Sequence, residues 1–95
     1  MNIEENEKDA LMNIFAERLQ YAMYWERLSQ SQLAYKSGVP TATINRYILK
    51  RRGAHIENLV KLAKVLKVST DYLLGLSDDM GIDASPEVNN NGENC

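Results

Sequence analysis

The feature that most constrains this chain is a pair of short helical segments joined by a turn at Gly38. Ser29 and Gln32 match a Ser-x-x-Gln capping box, which predicts that a helix begins just after Ser29. Gly38 follows only nine residues later, and glycine readily adopts the positive φ that ends a helix. Pro40 suits the entrance to the next helix, where a missing N–H does no harm. The sequence therefore predicts two short helices that cross at a tight turn.

The residues around this turn also predict how the two helices contact each other. The small side chain of Ala34 allows the second backbone to approach closely, and Gly38 reverses the chain in few residues. The angle between the helices is expected to be filled by the larger apolar side chains Leu33, Val39, Ile44 and Tyr47. This spacing is the pattern of a helix-turn-helix, whose second helix runs from about Thr41 to Leu49.

Helical periodicity continues on both sides of this unit, and no segment has the alternation of a strand. Apolar residues three or four apart predict helices at Asp9–Arg27 and Ile56–Leu66. Ser69 and Gly75 bracket a short fifth helix, Thr70–Leu74. The fold class is therefore predicted as all-α, a compact bundle of five helices. We expect residues 1–8 to be a disordered acidic N-terminus, 9–76 the helix-turn-helix domain and 77–95 a disordered acidic C-terminal tail.

Composition excludes several kinds of protein. The chain contains one cysteine, Cys95, and one histidine, His55, so an intrachain disulfide and a cysteine zinc site are not possible. Few general-base or metal constellations remain, and we expect neither an enzyme nor a cofactor. No apolar run reaches the roughly 18 residues of a membrane span, and the acidic start is unlike a signal peptide. These features predict a cytoplasmic protein.

The net charge of −2 hides a segregation of signs along the chain. Residues 15–75 carry ten Lys or Arg and four acids, a net charge of +6, whereas the two ends carry −8. A basic domain with acidic ends suggests contact with nucleic acid. The alternative is a solvated basic face with solubilising acidic tails.

The chain resembles the phage-repressor and Cro-type helix-turn-helix regulators, the Xre-like family. The resemblance covers about Phe15–Gly75 and includes Ser29-Gln30, the spacing of Ala34, Gly38 and Ile44, and the ending Val68-Ser-Thr-Asp-Tyr-Leu-Leu-Gly75. It implies a lambda-repressor-like DNA-binding domain that places its third helix in the major groove.

The resemblance also implies which residues bind DNA. On the third helix, the positions facing the groove and the bases are expected to be Thr41, Ala42, Asn45 and Arg46. Backbone phosphates are expected to be contacted by Gln30, Thr43, Lys50, Arg51 and Arg52. For the last three residues, the alternative interpretation is a solvated loop.

The sequence departs from the family at three positions. Family members usually carry Glu at the position of Ile48 and Gly at that of Lys50, and many carry Arg at that of Met23. The Arg and Glu form a buried ion pair, so we expect Met23 and Ile48 to pack together as an apolar substitute. Lys50 in place of glycine allows a longer third helix, with Gly53 as the turn residue.

The expected function is a sequence-specific, double-stranded DNA-binding transcriptional regulator of bacterial, nucleoid-associated type. We expect a repressor of phage or mobile-element origin that acts as a homodimer on a palindromic operator. The alternative is an antitoxin-like protein that binds a partner and autoregulates its operon. The aromatic residues Tyr21, Tyr24 and Trp25 either pack on their own helix or form a partner surface.

Overall fold

A computed structural model describes the backbone of residues 3–81 and the side chains of residues 7–81. Five helices form the fold of this part of the chain. They are α1 (Ile3–Glu26), α2 (Gln30–Ser37), α3 (Thr41–Ile48), α4 (Ile56–Leu66) and α5 (Thr70–Leu74). No strand occurs within residues 3–81. The helix α1 packs against α3, α4 and α5, and α2 packs against α3 and α4. The predicted all-α bundle of five helices is confirmed.

The first helix is longer than the apolar pattern predicts. It begins at Ile3, six residues before the expected start at Asp9, so the backbone of residues 3–8 is helical. The apolar stripe marks only the part of a helix that packs on a core, which is why it does not reveal this extension. The sequence there is rich in glutamate, and acidic residues near a helix N-terminus interact favourably with the helix dipole.

The caps of α2 agree with the sequence analysis. Ser29 Oγ accepts a hydrogen bond from the Gln32 amide at 3.1 Å, and Gln32 Oε1 accepts one from the Ser29 amide at 2.8 Å. This reciprocal pair is the predicted capping box. At the other end, Gly38 has φ 81° and its amide donates to the Ala34 carbonyl at 2.8 Å.

The observed end of α3 contradicts the expectation of a longer third helix with Gly53 as the turn residue. The helix stops at Ile48, and Lys50 itself adopts the left-handed conformation with φ 64°. The Lys50 amide donates to the Tyr47 carbonyl at 3.0 Å and the Arg51 amide to the Arg46 carbonyl at 2.9 Å. These two bonds form a Schellman motif, which satisfies the last carbonyls of the helix without a glycine.

The core lies where the predicted helix-turn-helix contacts α1 and α4. The side chains expected to fill the angle between α2 and α3 are each at most 1% exposed: Leu33, Val39, Ile44 and Tyr47. Phe15 of α1 packs edge-on against the Tyr47 ring, with ring centroids 5.4 Å apart. Burial of these residues fixes which side of α3 faces the domain interior.

The apolar replacement of the family's ion pair is compatible with this core. Met23 is 7% exposed and belongs to the buried cluster, and Ile48 packs against the same cluster. Neither side chain brings a charge into the region between α1 and α3. The absence of both charges avoids the cost of burying one of them alone.

The segment after α5 folds back onto α1 and is held there by Arg18. The guanidinium donates to the carbonyls of Tyr72 at 3.0 Å and Ser77 at 2.9 Å, and it pairs with Asp78 at 2.9 Å. It also lies 4.4 Å from the centroid of the Tyr72 ring. Burial raises the pKa of the Tyr72 hydroxyl, and the charge of Arg18 partly opposes this rise.

A backbone bond extends this attachment, because the Ser69 amide donates to the Met80 carbonyl at 2.8 Å. Residues 77–81 therefore pack on the domain, although the sequence predicts a disordered tail from residue 77. The remainder of that predicted tail, 82–95, lies outside the described residues.

Candidate DNA-binding surface

The helix α3 has one buried side and one exposed side. Ile44 and Tyr47 are buried and Ile48 is half-buried, as the periodicity predicts. The positions expected to face a ligand are all exposed, and they are Thr41, Ala42, Asn45 and Arg46. The arrangement presents a hydroxyl, a methyl, an amide and a guanidinium along one short helix face.

The turn before α3 holds the start of this face in place. The Pro40 carbonyl accepts hydrogen bonds from the amides of Thr43 and Ile44, both at 3.0 Å. Ser37 Oγ accepts one from the Val39 amide at 3.1 Å, which closes the corner between α2 and α3. Backbone groups that are satisfied in this way leave the outer side chains of α3 free to contact a ligand.

A second contact fixes the far end of α3. Asn58 of α4 donates a hydrogen bond from Nδ2 to Tyr47 Oη at 2.9 Å. Asn58 was not among the residues predicted from the sequence. A signal was present, because Asn58 lies four residues before the buried Leu62 and is thus a polar residue on the inner stripe of α4.

Basic and polar residues flank the exposed face. Lys50, Arg51 and Arg52 are exposed in the segment after α3. The ion pairs found among the described residues are Arg18–Asp78 and Lys61–Glu57, so none of these three cations is neutralised there. Gln30, the first residue of α2, and Thr43 are half-buried and expose only part of their side chains. The cations supply a positive edge beside α3.

Two other kinds of feature, a cluster of metal ligands and a membrane-spanning helix, are not found among the residues that the structure describes. Within the part of the chain that the structure describes, no three His, Cys, Asp or Glu residues lie close enough to hold a metal ion. In the same residues, no helix has both the length and the apolar character needed to cross a membrane.

The exposed aromatic residues of α1 are only partly covered by contacts on their own helix. Tyr21 and Trp25 pack edge-on with ring centroids 6.2 Å apart, which agrees with packing on their own helix. Tyr24 is 77% exposed, and Trp25 retains 56% exposure despite this contact. The own-helix interpretation therefore accounts for only part of this aromatic surface.

The chain is similar to known helix-turn-helix proteins. The family model described as "Helix-turn-helix" matches residues 26–73, which include α2, α3 and α4. A curated relative is the uncharacterised HTH-type transcriptional regulator YobD of Bacillus subtilis (strain 168), which is 33% identical over 66 residues. The match covers 70% of this chain and 59% of the relative. No solved structure matches the chain.

Proposed function

This chain belongs to the helix-turn-helix family of the Cro-type, Xre-like regulators, and we propose that it is a transcriptional regulator that binds double-stranded DNA at specific sequences. In this proposal α3 enters the major groove and α2 lies across the backbone. The observation that carries it is the two-sided character of α3. Ile44 and Tyr47 hold its inner side in the core, while Asn45 and Arg46 project outward.

The outer side chains of α3 suit the edges of base pairs. Arg46 matches the paired acceptors of guanine, and Asn45 matches the donor and acceptor of adenine. The Thr41 hydroxyl is suited to a base or a phosphate. Ala42 offers a methyl group to thymine. We propose these four residues as the base contacts.

The flanking residues are proposed to bind phosphates. Lys50, Arg51 and Arg52 present exposed cations at the end of α3, and Gln30 and Thr43 offer polar groups close to the helix starts. The +6 charge of residues 15–75 supports attraction to a polyanion. Phosphate contacts set the register of α3 on the duplex and leave the choice of sequence to the base contacts.

We propose that the protein acts as a homodimeric repressor on a palindromic operator. A single helix-turn-helix unit reads about one half-site, and two copies related by a twofold axis read both. Repression then results from occupancy of a promoter, with the protein bound on the bacterial nucleoid. A phage or mobile-element origin is part of the same proposal. The antitoxin-like alternative depends on the first helix or on residues 76–95, of which 82–95 lie outside the described residues.

The proposed phosphate contacts are tested by the salt dependence of binding to duplex DNA. The triple variant K50A/R51A/R52A is compared with K61A/K64A/K67A, which removes the same charge from α4 and its C-terminal cap. Each lost phosphate contact lowers the slope of log K against log salt by about 0.9. The first variant should flatten the slope by up to three such steps, and the second should leave it unchanged. Equal slopes in both variants would contradict the proposal.

A further inference from the structure

An open hollow of about 750 Å³ lies at the corner between α1 and α2. Its walls are formed by Met23, Tyr24, Trp25, Arg27, Leu28 and Ser29. Four of these side chains carry hydrogen-bond donors: a phenol, an indole N–H, a guanidinium and a hydroxyl. None of the six carries a carboxylate. The hollow is therefore suited to an anion with apolar parts.

We propose that this hollow binds a segment of the sugar-phosphate backbone of the duplex that α3 reads. This inference rests on the proposed function, and it adds a binding site outside the residues assigned above. The hollow adjoins that surface, because Ser29 in its wall directly precedes Gln30. Donors and a cation match the phosphate, and the aromatic rings match the deoxyribose.

The conformation of Arg27 is consistent with a role for its charge. Arg27 follows α1 with φ 57°, and the Leu28 amide donates to the Met23 carbonyl at 2.9 Å in the helix-ending pattern that favours glycine. A side chain in this left-handed conformation costs stability that glycine would avoid. The guanidinium belongs to neither ion pair found among the described residues. An exposed guanidinium keeps its full capacity for a bidentate bond to phosphate.

A second explanation of Arg27 must be separated from this one. The residues with positive φ other than glycine are Arg27, Lys50 and Lys67 in the described chain, and all three are basic. Each follows a helix C-terminus, where a cation interacts favourably with the helix dipole. Lys67 closes α4 and is not part of the hollow, so it serves as the matched control for this purely structural effect.

The test compares R27G with K67G in the full chain, using fluorescence-labelled duplex DNA and a range of salt concentrations. Both variants should melt at a higher temperature than the wild type, because glycine relieves the strained φ. Only R27G should weaken binding, on the order of tenfold at 0.1 M salt, and lower the salt slope by about 0.9. R27K should keep the slope, since it retains the charge. W25F, which replaces the indole by a smaller ring without an N–H donor, should also weaken binding.

Several results would overturn the inference. If the wild type binds DNA and R27G binds it as tightly and with the same salt dependence as K67G, only the assignment of the hollow is wrong. If the wild-type protein shows no salt-dependent DNA binding, the proposed function and the proposed role of the hollow are both wrong. If W25A changes the sedimentation coefficient of the free protein and leaves DNA binding intact, the hollow is a protein–protein surface.

Discussion

Asn58 Nδ2 lies 2.9 Å from Tyr47 Oη, and this hydrogen bond joins α4 to the buried side of α3. Tyr47 is 1% exposed, and Phe15 packs edge-on against its ring. Among the side-chain hydrogen bonds of the described residues, this is the one that connects an α3 side chain to another helix. Apolar packing tolerates small rotations of a helix, whereas a directional bond at its buried face restricts them.

Removal of the Tyr47 hydroxyl should therefore destabilise the domain. In Y47F the half-buried Asn58 amide loses its partner, which should lower the free energy of unfolding by about 1–2 kcal/mol in urea titrations. The double variant Y47F/N58L removes both polar groups and should recover most of this loss. A double variant that is less stable than Y47F would contradict this account of the hydrogen bond.

The expected packing of Met23 against Ile48 predicts a strong coupling between these positions. M23R alone buries an unpaired charge and should cost about 3–5 kcal/mol. In M23R/I48E the ion pair that the family uses becomes available, so most of the stability should return. The measurement is a double-mutant cycle of unfolding free energies. Strictly additive effects would mean that the two side chains do not interact.

The left-handed conformation of Lys50 predicts a gain of stability on substitution by glycine. K50G should raise the free energy of unfolding by about 1 kcal/mol, because a side chain in this conformation is strained. K50A removes the same charge and keeps the strain, so it should not show the gain. If thermal melts place K50G and K50A at the same stability, the strain at this position is negligible.

The proposed contact of Arg46 predicts a loss at one base pair. R46A should weaken binding to the preferred site by about 1–3 kcal/mol and relax the preference at a single position. Competition binding against a set of single-base variants of the site measures both effects. An equal loss on every sequence would make Arg46 a phosphate contact.

The elements with strong local signals were predictable from the sequence. Ser29 with Gln32 and Ser69 with Gly75 define helix ends through bonds to nearby backbone, so the structure places α2 and α5 where the sequence predicts them. The helix α4 was also predicted at its observed bounds.

Features that depend on the tertiary fold were not predictable in this way. The predicted α3, about Thr41–Leu49, agrees with the observed helix, but the longer helix with its turn at Gly53 is wrong because Lys50 adopts a conformation that its residue type disfavours. The Arg18 contacts with Ser77 and Asp78 join residues far apart in sequence, so no local pattern reveals them. The position of Asn58 on the inner stripe of α4 is a local signal, but its partner Tyr47 lies on another helix, so the hydrogen bond itself was not predictable from that pattern. For the candidate surface, the exposure of the four outer α3 positions agrees with the helical period, and their contacts with bases stay a prediction.

The central claim is that α3 reads a specific DNA sequence. Selection of binding sites from random duplex DNA by the purified full chain, at moderate salt, tests this claim most directly. The account predicts enrichment of a palindrome whose half-sites lie about one helical turn apart. Enrichment should disappear in the variant N45A/R46A, which keeps the flanking cations. Salt-sensitive binding to all sequences with no enriched site would contradict the claim.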